Sequence, residues 1–203
     1  MDLNDLRTIK ASVDAFLAKE ERLHVLFNNA GIMLSDDAKS AQGYEQHLGI
    51  NCLGTFLLTK LLTPILVATA KLEPPNTVRV IWVASVGLEI LGEKNTGIDM
   101  DNLDYHRQKP AMYKYAISKC GDWAYGVEFA KRFKAEGVVS LPLSPGNLQT
   151  ELFREQGIGI RIFNHFILYP VINGACTQLY AGLAPEITLE KSGSWGMRSS
   201  FPS

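Results

Sequence analysis

The sequence predicts an α/β fold in which a mostly parallel sheet carries helices on both faces. Short apolar runs that suit strands buried on both faces alternate with longer stretches of helical periodicity, and turn residues separate them. Strands and helices that alternate in this way form βαβ units, so each strand reaches its parallel neighbour through a helix. A chain of 203 residues can bury a substantial core, and we expect one domain.

Turn signals and charge set the element boundaries. The first apolar strand stops at Asn28-Asn29-Ala30-Gly31, and the long helix that follows is closed by a charged segment with two prolines. The third strand is broken by Ser144-Pro145-Gly146. In chain order we predict a helix over 3–20, a strand over 24–27, a helix over 44–70, a strand over 78–84, a helix over 113–134, a strand over 137–143, and helices near 150–156 and 173–183.

Composition argues against several functional classes. A net charge of −1 without a basic block argues against nucleic-acid binding. Three cysteines, far apart and odd in number, predict neither a disulfide framework nor a metal site and favour a reducing compartment. The acidic start is not a secretory signal, and the apolar run over 53–70 carries Lys60 and Pro64, which favours a buried helix over a membrane span. We therefore expect a cytoplasmic protein with no membrane span, no nucleic-acid partner and no metal.

The segment Tyr115-Ala116-Ile117-Ser118-Lys119 carries the clearest chemical signal. On a helix, Tyr115 and Lys119 lie one turn apart on the same face, where the cation favours phenolate and equips the tyrosine for proton transfer. A second Tyr-x-x-x-Lys match begins at Tyr105, but Pro110 follows it directly and disfavours helical geometry there.

Polar or turn residues follow all three predicted strands. Asn28 to Gly31 follows the first strand, Ser85 the second, and Pro145-Gly146 the third. Ligands of open parallel sheets bind beyond the carboxyl ends of the strands. The positions therefore predict a cleft at this edge, although serine and glycine are also common as simple turn residues at strand ends.

Taken together and in order, these motifs resemble those of the short-chain dehydrogenase/reductase family, in its fungal and retinol-dehydrogenase-like branch. The resemblance covers about residues 2–189 and implies one domain over 1–203 with a partial Rossmann fold. The motifs that carry it are Asn28-Asn29-Ala30-Gly31, Asn51 in Asn-Cys-Leu-Gly-Thr, Ser85, Tyr115-x-x-Ser118-Lys119, and Pro145-Gly146-x-x-x-Thr150.

The resemblance implies four catalytic residues. Tyr115 would be the general acid/base, and Lys119 would favour its phenolate form and bind the nicotinamide ribose. Ser85 would hold the substrate oxygen, and Asn51 would position a water that links Lys119 to solvent. A buried asparagine within an apolar helix also needs hydrogen-bond partners for structural reasons alone.

The resemblance also implies an NADP or NAD cofactor, with NADP expected from the branch. Lys60 is a weaker candidate, since on a helix it should face away from the cleft. The implied cofactor-binding residues are Asp2, Asn28, Ala30, Gly31, Tyr115, Lys119, Pro145, Gly146, Leu148 and Thr150.

One part of the family pattern is missing from the sequence. No Gly-x-x-x-Gly-x-Gly motif occurs, so we expect a chain truncated at its N-terminus that lacks the first βαβαβ segment. The strand over 24–27 would then be a bare sheet edge. This leaves three hypotheses: an active oxidoreductase, an inactive remnant with a binding or regulatory role, and a fragment of a longer enzyme.

The implied reaction interconverts a secondary alcohol and a ketone by hydride transfer. The segment over 151–171 is apolar and aromatic, which suggests a hydrophobic substrate such as a lipid or secondary metabolite, but equally a lid or a subunit contact. The resemblance further implies a homodimer or homotetramer that pairs through the helices over 44–70 and 113–134.

Overall fold

The computed structural model describes residues 1–34, 38–92, 97–146, 148 and 168–197. Within these residues the chain forms one parallel four-stranded sheet, in the order β1-β2-β3-β4. The predicted parallel α/β architecture is therefore confirmed. The strands are β1 (Val25–Asn28), β2 (Arg79–Val83), β3 (Val139–Ser144) and β4 (Gly196–Met197).

Helices connect the strands, as the alternating pattern predicts. A π-helical segment, Leu48–Gly54, runs directly into α2, so the helix predicted over 44–70 begins later than expected and with a wider first part. The helix predicted near 150–156 lies outside the described residues. The helices are α1 (Arg7–Leu17), α2 (Thr55–Ala70), α3 (Gly87–Leu91), α4 (Ala111–Phe133) and α5 (Val171–Leu183), with 3-10 turns at Met100–Asn102 and Leu189–Lys191.

The core lies on both faces of the sheet, because successive strand residues point to opposite sides. Val80 and Trp82 of β2 pack in a cluster with residues of α1, α2 and α4. Ile81 and Val83 point the other way, into a cluster that includes Ala181 of α5. All five β2 residues are buried, which explains their nearly continuous apolar sequence.

Among the described strands, β1 lies at the edge of the sheet and pairs only with β2. One face of it is covered by α5, where a side chain on Gly182 would overlap the ring of Phe27 at 2.4 Å. The edge position predicted for this strand is confirmed. The two-residue strand β4, at the opposite edge, was not predicted.

The helical stretch Leu48–Ala70 is the one described helix that is long and apolar enough to cross a membrane, by length and composition alone. Its side chains Leu62 and Leu66 are buried and pack in the same cluster as Ile9 and Trp82. This packing supports the prediction that it is a core helix.

The two Tyr-x-x-x-Lys matches adopt different structures. Tyr115 and Lys119 lie within α4, whereas Tyr105 precedes that helix with a left-handed φ of 52°. The Tyr105 ring is buried, with the Lys114 ammonium 5.2 Å from its centroid. Only the Tyr115 match has the one-turn helical geometry, as predicted.

The core packing predicts a large cost for Leu66→Ala, because the side chain is fully buried against α1 and the sheet. Removing it leaves a cavity and should lower the free energy of unfolding by about 2–5 kcal/mol. Urea denaturation measures the difference. Leu72→Ala is the matched control, since Leu72 is 67% exposed. Equal losses in the two variants would contradict this description of the core.

Candidate functional site

A cavity of about 960 Å³ lies beyond the carboxyl ends of β1, β2 and β3. It brings together seven of the predicted site residues, which come from four separate parts of the sequence. The predicted residues that line it are Gly31, Ser85, Tyr115, Lys119, Pro145, Gly146 and Leu148.

The helix α4 carries Tyr115 and Lys119 to the cavity. It begins directly after Pro110, whose extended backbone (φ −60°, ψ 150°) turns the chain into the helix. The helix packs closely on β3, since a side chain on Gly126 would come within 2.8–3.0 Å of the Pro142 ring. This close packing holds α4 against β3 and so fixes the position of the helix relative to the sheet.

Lys119 is held by two acceptors from different elements. Its Nζ donates to the carbonyl of Val83 at the end of β2 and to Oδ2 of Asp122, both at 2.8 Å. Both side chains of this ion pair are almost completely buried, at 5% and 2% exposed. An ammonium has three N–H donors, so among the described residues one remains for a ligand in the cavity.

Electrostatics favours the charged form of Lys119. Burial acts against the ammonium, but the Asp122 carboxylate and the Tyr115 phenol oppose it, and the pKa of Lys119 lies above its ordinary value. In Asp122 burial prevails over the attraction of Lys119 and raises the pKa of the carboxyl to about 6. At neutral pH the two groups therefore form a charged pair.

Ser85 lies just beyond β2, at the wall of the cavity. Its Oγ accepts a hydrogen bond from the N–H of Gly87 at 3.1 Å, at the start of α3. The neighbouring N–H of Val86 donates to Oγ of Ser144 at 3.2 Å. These bonds fix the loop, and within the described part of the chain the Ser85 hydroxyl hydrogen has no protein acceptor and can bond a ligand oxygen.

Asn51 lies in the π-helical segment, and its side chain bonds both the turn after β1 and α4. Its Oδ1 accepts from the N–H of Ile32 at 2.8 Å, and its Nδ2 donates to the Ile32 carbonyl and to Oγ of Ser118, both at 3.0 Å. A methyl group built on Gly31 would lie 3.3 Å from both Asn51 Oδ1 and Lys119 Nζ. The side chain thus holds the turn after β1 against α4, and its water-positioning role stays a prediction.

A buried histidine supports the same turn. The Nε2 of His47 accepts from the N–H of Leu34 at 3.0 Å, so its hydrogen resides on Nδ1, which lies 2.5 Å from Oε1 of Glu45. The ring meets the ring of Tyr115 edge-on, with centroids 6.3 Å apart. His47 is thus a buried structural residue with both ring nitrogens bonded.

Some predicted residues lie away from the cavity. Asp2 is exposed and accepts from the N–H of Asn4 at 2.8 Å, as a local turn contact. Asn28 is buried with its Nδ2 on Oγ1 of Thr59 at 2.8 Å, and Ala30 is exposed. Neither of these two nor Asp2 lines the cavity.

Two further predicted residues are Thr150 and Lys60. Thr150 lies outside the described residues. Lys60 is exposed on α2 and does not line the cavity, in agreement with the expected orientation of that position.

Sequence reasoning missed two polar features of the site. Asp122 follows Lys119 by three residues, and the i,i+3 spacing of a carboxylate after a lysine on a helix could have revealed the pair. Asn29 Oδ1 accepts from Nε2 of Gln178 at 2.9 Å, which joins the turn after β1 to α5 across the cavity rim. No sequence signal links two residues so far apart.

The rest of the cavity wall is largely apolar. The residues concerned come from the turn after β1, from α3, from the start of α4 and from α5, and they suit an apolar ligand. They include Met33, Leu91, Met112, Val171 and Leu179. Among the described residues, no group of three His, Cys, Asp or Glu side chains could hold a metal ion.

Comparison with known proteins places these features in context. The model of the short chain dehydrogenase family matches residues 1–89. A short-chain dehydrogenase/reductase of Phomopsis amygdali is 52% identical over 206 residues, covering 97% of this chain and 61% of the relative. One of Phaeosphaeria nodorum is 46% identical over 199 residues, covering 96% of this chain and 63% of that protein. The chain thus spans about three fifths of the length of these curated relatives.

A solved structure matches the fold. The NADPH-bound carbonyl reductase from chicken fatty liver superimposes with a TM-score of 0.70, covering 98% of this chain and 73% of that chain. The two sequences are 18% identical, so this likeness concerns the fold alone.

The three hydrogen bonds of Asn51 predict a local effect for Asn51→Ala. The variant leaves the partly buried N–H and carbonyl of Ile32 without their partner and should lower the free energy of unfolding by about 1–3 kcal/mol. Hydrogen exchange should report faster exchange of the Ile32 amide than in the wild type. The control is Asn29→Ala, which removes one exposed contact. An unchanged Ile32 exchange rate would show that Asn51 does not hold this turn.

Proposed function

This chain belongs to the short-chain dehydrogenase/reductase family, and we propose that it is an NAD(P)-dependent oxidoreductase that interconverts a secondary alcohol and a ketone. The observation that carries the proposal is the common cavity of Tyr115, Lys119 and Ser85. A proton donor, a buried cation and a hydroxyl group thus line one apolar cleft at the strand ends. This set of groups suits proton transfer to a carbonyl oxygen.

The described residues suit the nicotinamide end of a dinucleotide. Gly31 has no side chain, and one at this position would crowd Lys119 Nζ. As far as the described residues go, the third N–H of Nζ is available for a ribose hydroxyl. Pro145 and Gly146 line the same cavity, where the φ of 95° at Gly146 favours glycine. We propose that these residues, with Leu148 and Thr150, hold the nicotinamide carboxamide.

The cofactor supplies hydride chemistry when bound. In the proposed mechanism, Ser85 donates a hydrogen bond to the substrate oxygen through its hydroxyl, which already accepts from the N–H of Gly87. Tyr115 gives its phenolic proton to that oxygen in the direction of reduction and takes it back in oxidation. The Lys119 ammonium stabilises the resulting phenolate, because it lies one helical turn away and carries its charge in a buried setting.

The apolar wall supports a proposal for the substrate class. Side chains of Met33, Leu91 and Met112 line the cavity together with the reactive groups. We propose a hydrophobic small molecule, such as a lipid or a secondary metabolite, with NADP as the preferred cofactor. We further propose a cytoplasmic homodimer or homotetramer that pairs through α2 and α4, whose Phe56 and Trp123 are 41% and 38% exposed.

Tyr115→Phe tests the proposed acid/base directly. The variant keeps the ring and removes only the hydroxyl, so NADPH binding should persist while the reduction of bulky aromatic ketones falls by about 100-fold or more. Turnover is followed through the loss of NADPH fluorescence in the purified 203-residue protein.

The matched control is Tyr113→Phe, which makes the same change on the same helix at a residue that does not line the cavity. It should retain wild-type turnover. Equal rates in Tyr115→Phe and the wild type would refute the assignment of Tyr115. A wild-type protein that binds NADPH but reduces no ketone would favour an inactive binding role.

A further inference from the structure

Lys119 forms a buried ion pair with Asp122 on α4. The proposed proton transfer involves Lys119 but gives no role to Asp122. Asp122 does not line the cavity, whereas Lys119 does. The carboxylate contacts the ammonium from behind, at 2.8 Å, where both side chains are buried. A buried ion pair costs solvation energy, so it calls for a physical reason.

The pair restricts where the Lys119 ammonium can lie. A lysine side chain has four rotatable bonds, and Nζ can reach a wide range of positions unless its donors are engaged. Here Val83 and Asp122 engage two donors from two directions. These two bonds hold Nζ next to Gly31 at the cavity wall. A Cβ atom built on Gly31 would lie 3.3 Å from Nζ.

Asp122 depends on Lys119 in turn. Its other oxygen, Oδ1, has a contact of 3.4 Å with Oγ1 of Thr55. Thr55 Oγ1 lies closer to the carbonyls of Asn51 and Cys52, at 2.7 and 3.0 Å, and its single hydroxyl hydrogen has these two nearer acceptors, so it is a weaker donor to the carboxylate than Lys119. Lys119 is therefore the main donor to a carboxylate that is otherwise surrounded by protein.

The titratable groups around the pair come from two elements. Tyr115 and Tyr125 of α4 and Cys52 of the π-helical segment face it, and all three are neutral in their ordinary state. The strand β2 contributes the Val83 carbonyl, which carries no charge. Asp122 is thus the group among these that balances the charge of Lys119.

We propose that Asp122 is a positioning residue that fixes the Lys119 ammonium for cofactor binding and phenolate stabilisation, and that catalysis requires the carboxylate form. The catalytic part rests on the proposed oxidoreductase function, whereas the fixing of Lys119 does not. Since burial raises the pKa of Asp122 to about 6, protonation below that pH removes the partner charge and loosens Nζ.

Asp122→Asn tests the fixing of Lys119 without reference to activity. The change keeps an oxygen acceptor of the same size and removes the charge. In protein labelled with ¹³C at lysine Cε, the Lys119 signal should titrate about 1–3 pH units lower than in the wild type. The signal is assigned by its loss in Lys119→Met. An unchanged Lys119 titration would overturn the proposal.

The control is Glu128→Gln, which removes an exposed carboxylate from the same helix. It should leave the Lys119 titration as it is in the wild type. A shift of equal size in Glu128→Gln would mean that Lys119 responds to net charge rather than to Asp122, and would also overturn the proposal.

A double variant covers the case in which Asp122→Asn does not fold. Asp122→Asn together with Lys119→Met removes both charges, so the double variant should fold where Asp122→Asn alone does not, because no unpaired charge is left buried. A double variant that is unfolded as well would show no coupling between the two charges and would contradict the proposal.

The pH profile tests the catalytic part. Wild-type kcat/KM for ketone reduction with NADPH should fall as the pH drops through about 6, because Asp122 gains its proton there. Asp122→Asn should lose this acidic limb and run about 10-fold or more below the wild type across the range. A profile with the wild-type acidic limb would refute the role of Asp122. A wild type that binds NADPH but has no turnover would refute only the proposed oxidoreductase function. The fixing of Lys119 by Asp122 would still be tested by the Lys119 titration, which needs no turnover.

Discussion

The buried charge of Lys119 is the constraint on which the candidate site depends. An ammonium removed from water is costly unless it is paired and hydrogen-bonded. Here the Asp122 carboxylate pairs the charge and, with the Val83 carbonyl, accepts its hydrogen bonds; within the described residues the third donor of Nζ is available at the cavity. The bond to Val83 also ties α4 to the end of β2, while the bond to Asp122 lies within α4. Charge stabilisation and the placement of the helix are therefore one structural feature.

A second set of polar contacts joins the turn after β1 to α4. Asn51 holds the backbone of Ile32 and contacts Ser118 of α4, while His47 holds Leu34 and packs edge-on against Tyr115. The turn after β1 is thus bonded to the segment of α4 that carries Tyr115. Since Asn51 and His47 lie in or next to a π-helical segment, the wider winding there is part of how these side chains reach their partners.

Much of the fold could be predicted because burial on both faces leaves a visible pattern. The run Arg79–Val83 is apolar at nearly every position, and Tyr115 and Lys119 are placed by helical spacing alone. The two-residue strand β4 could not be predicted, because only its pairing with β3 makes it a strand. Asp122 escaped notice for a similar reason: a carboxylate on a helix is usually solvated, and only the packing of α4 reveals that this one is buried. Asp2 was assigned by resemblance, and the structure gives it a local turn contact.

The central claim is that the Lys119 ammonium forms part of a dinucleotide site. The most direct measurement is the titration of NADPH onto the wild-type chain and onto Lys119→Met, followed by the change in NADPH fluorescence. The account predicts saturable binding to the wild type and binding weaker by about 10-fold or more in the variant, because a charge-assisted hydrogen bond is lost. Equal affinity in the two proteins, or no saturable binding to the wild type, would contradict it.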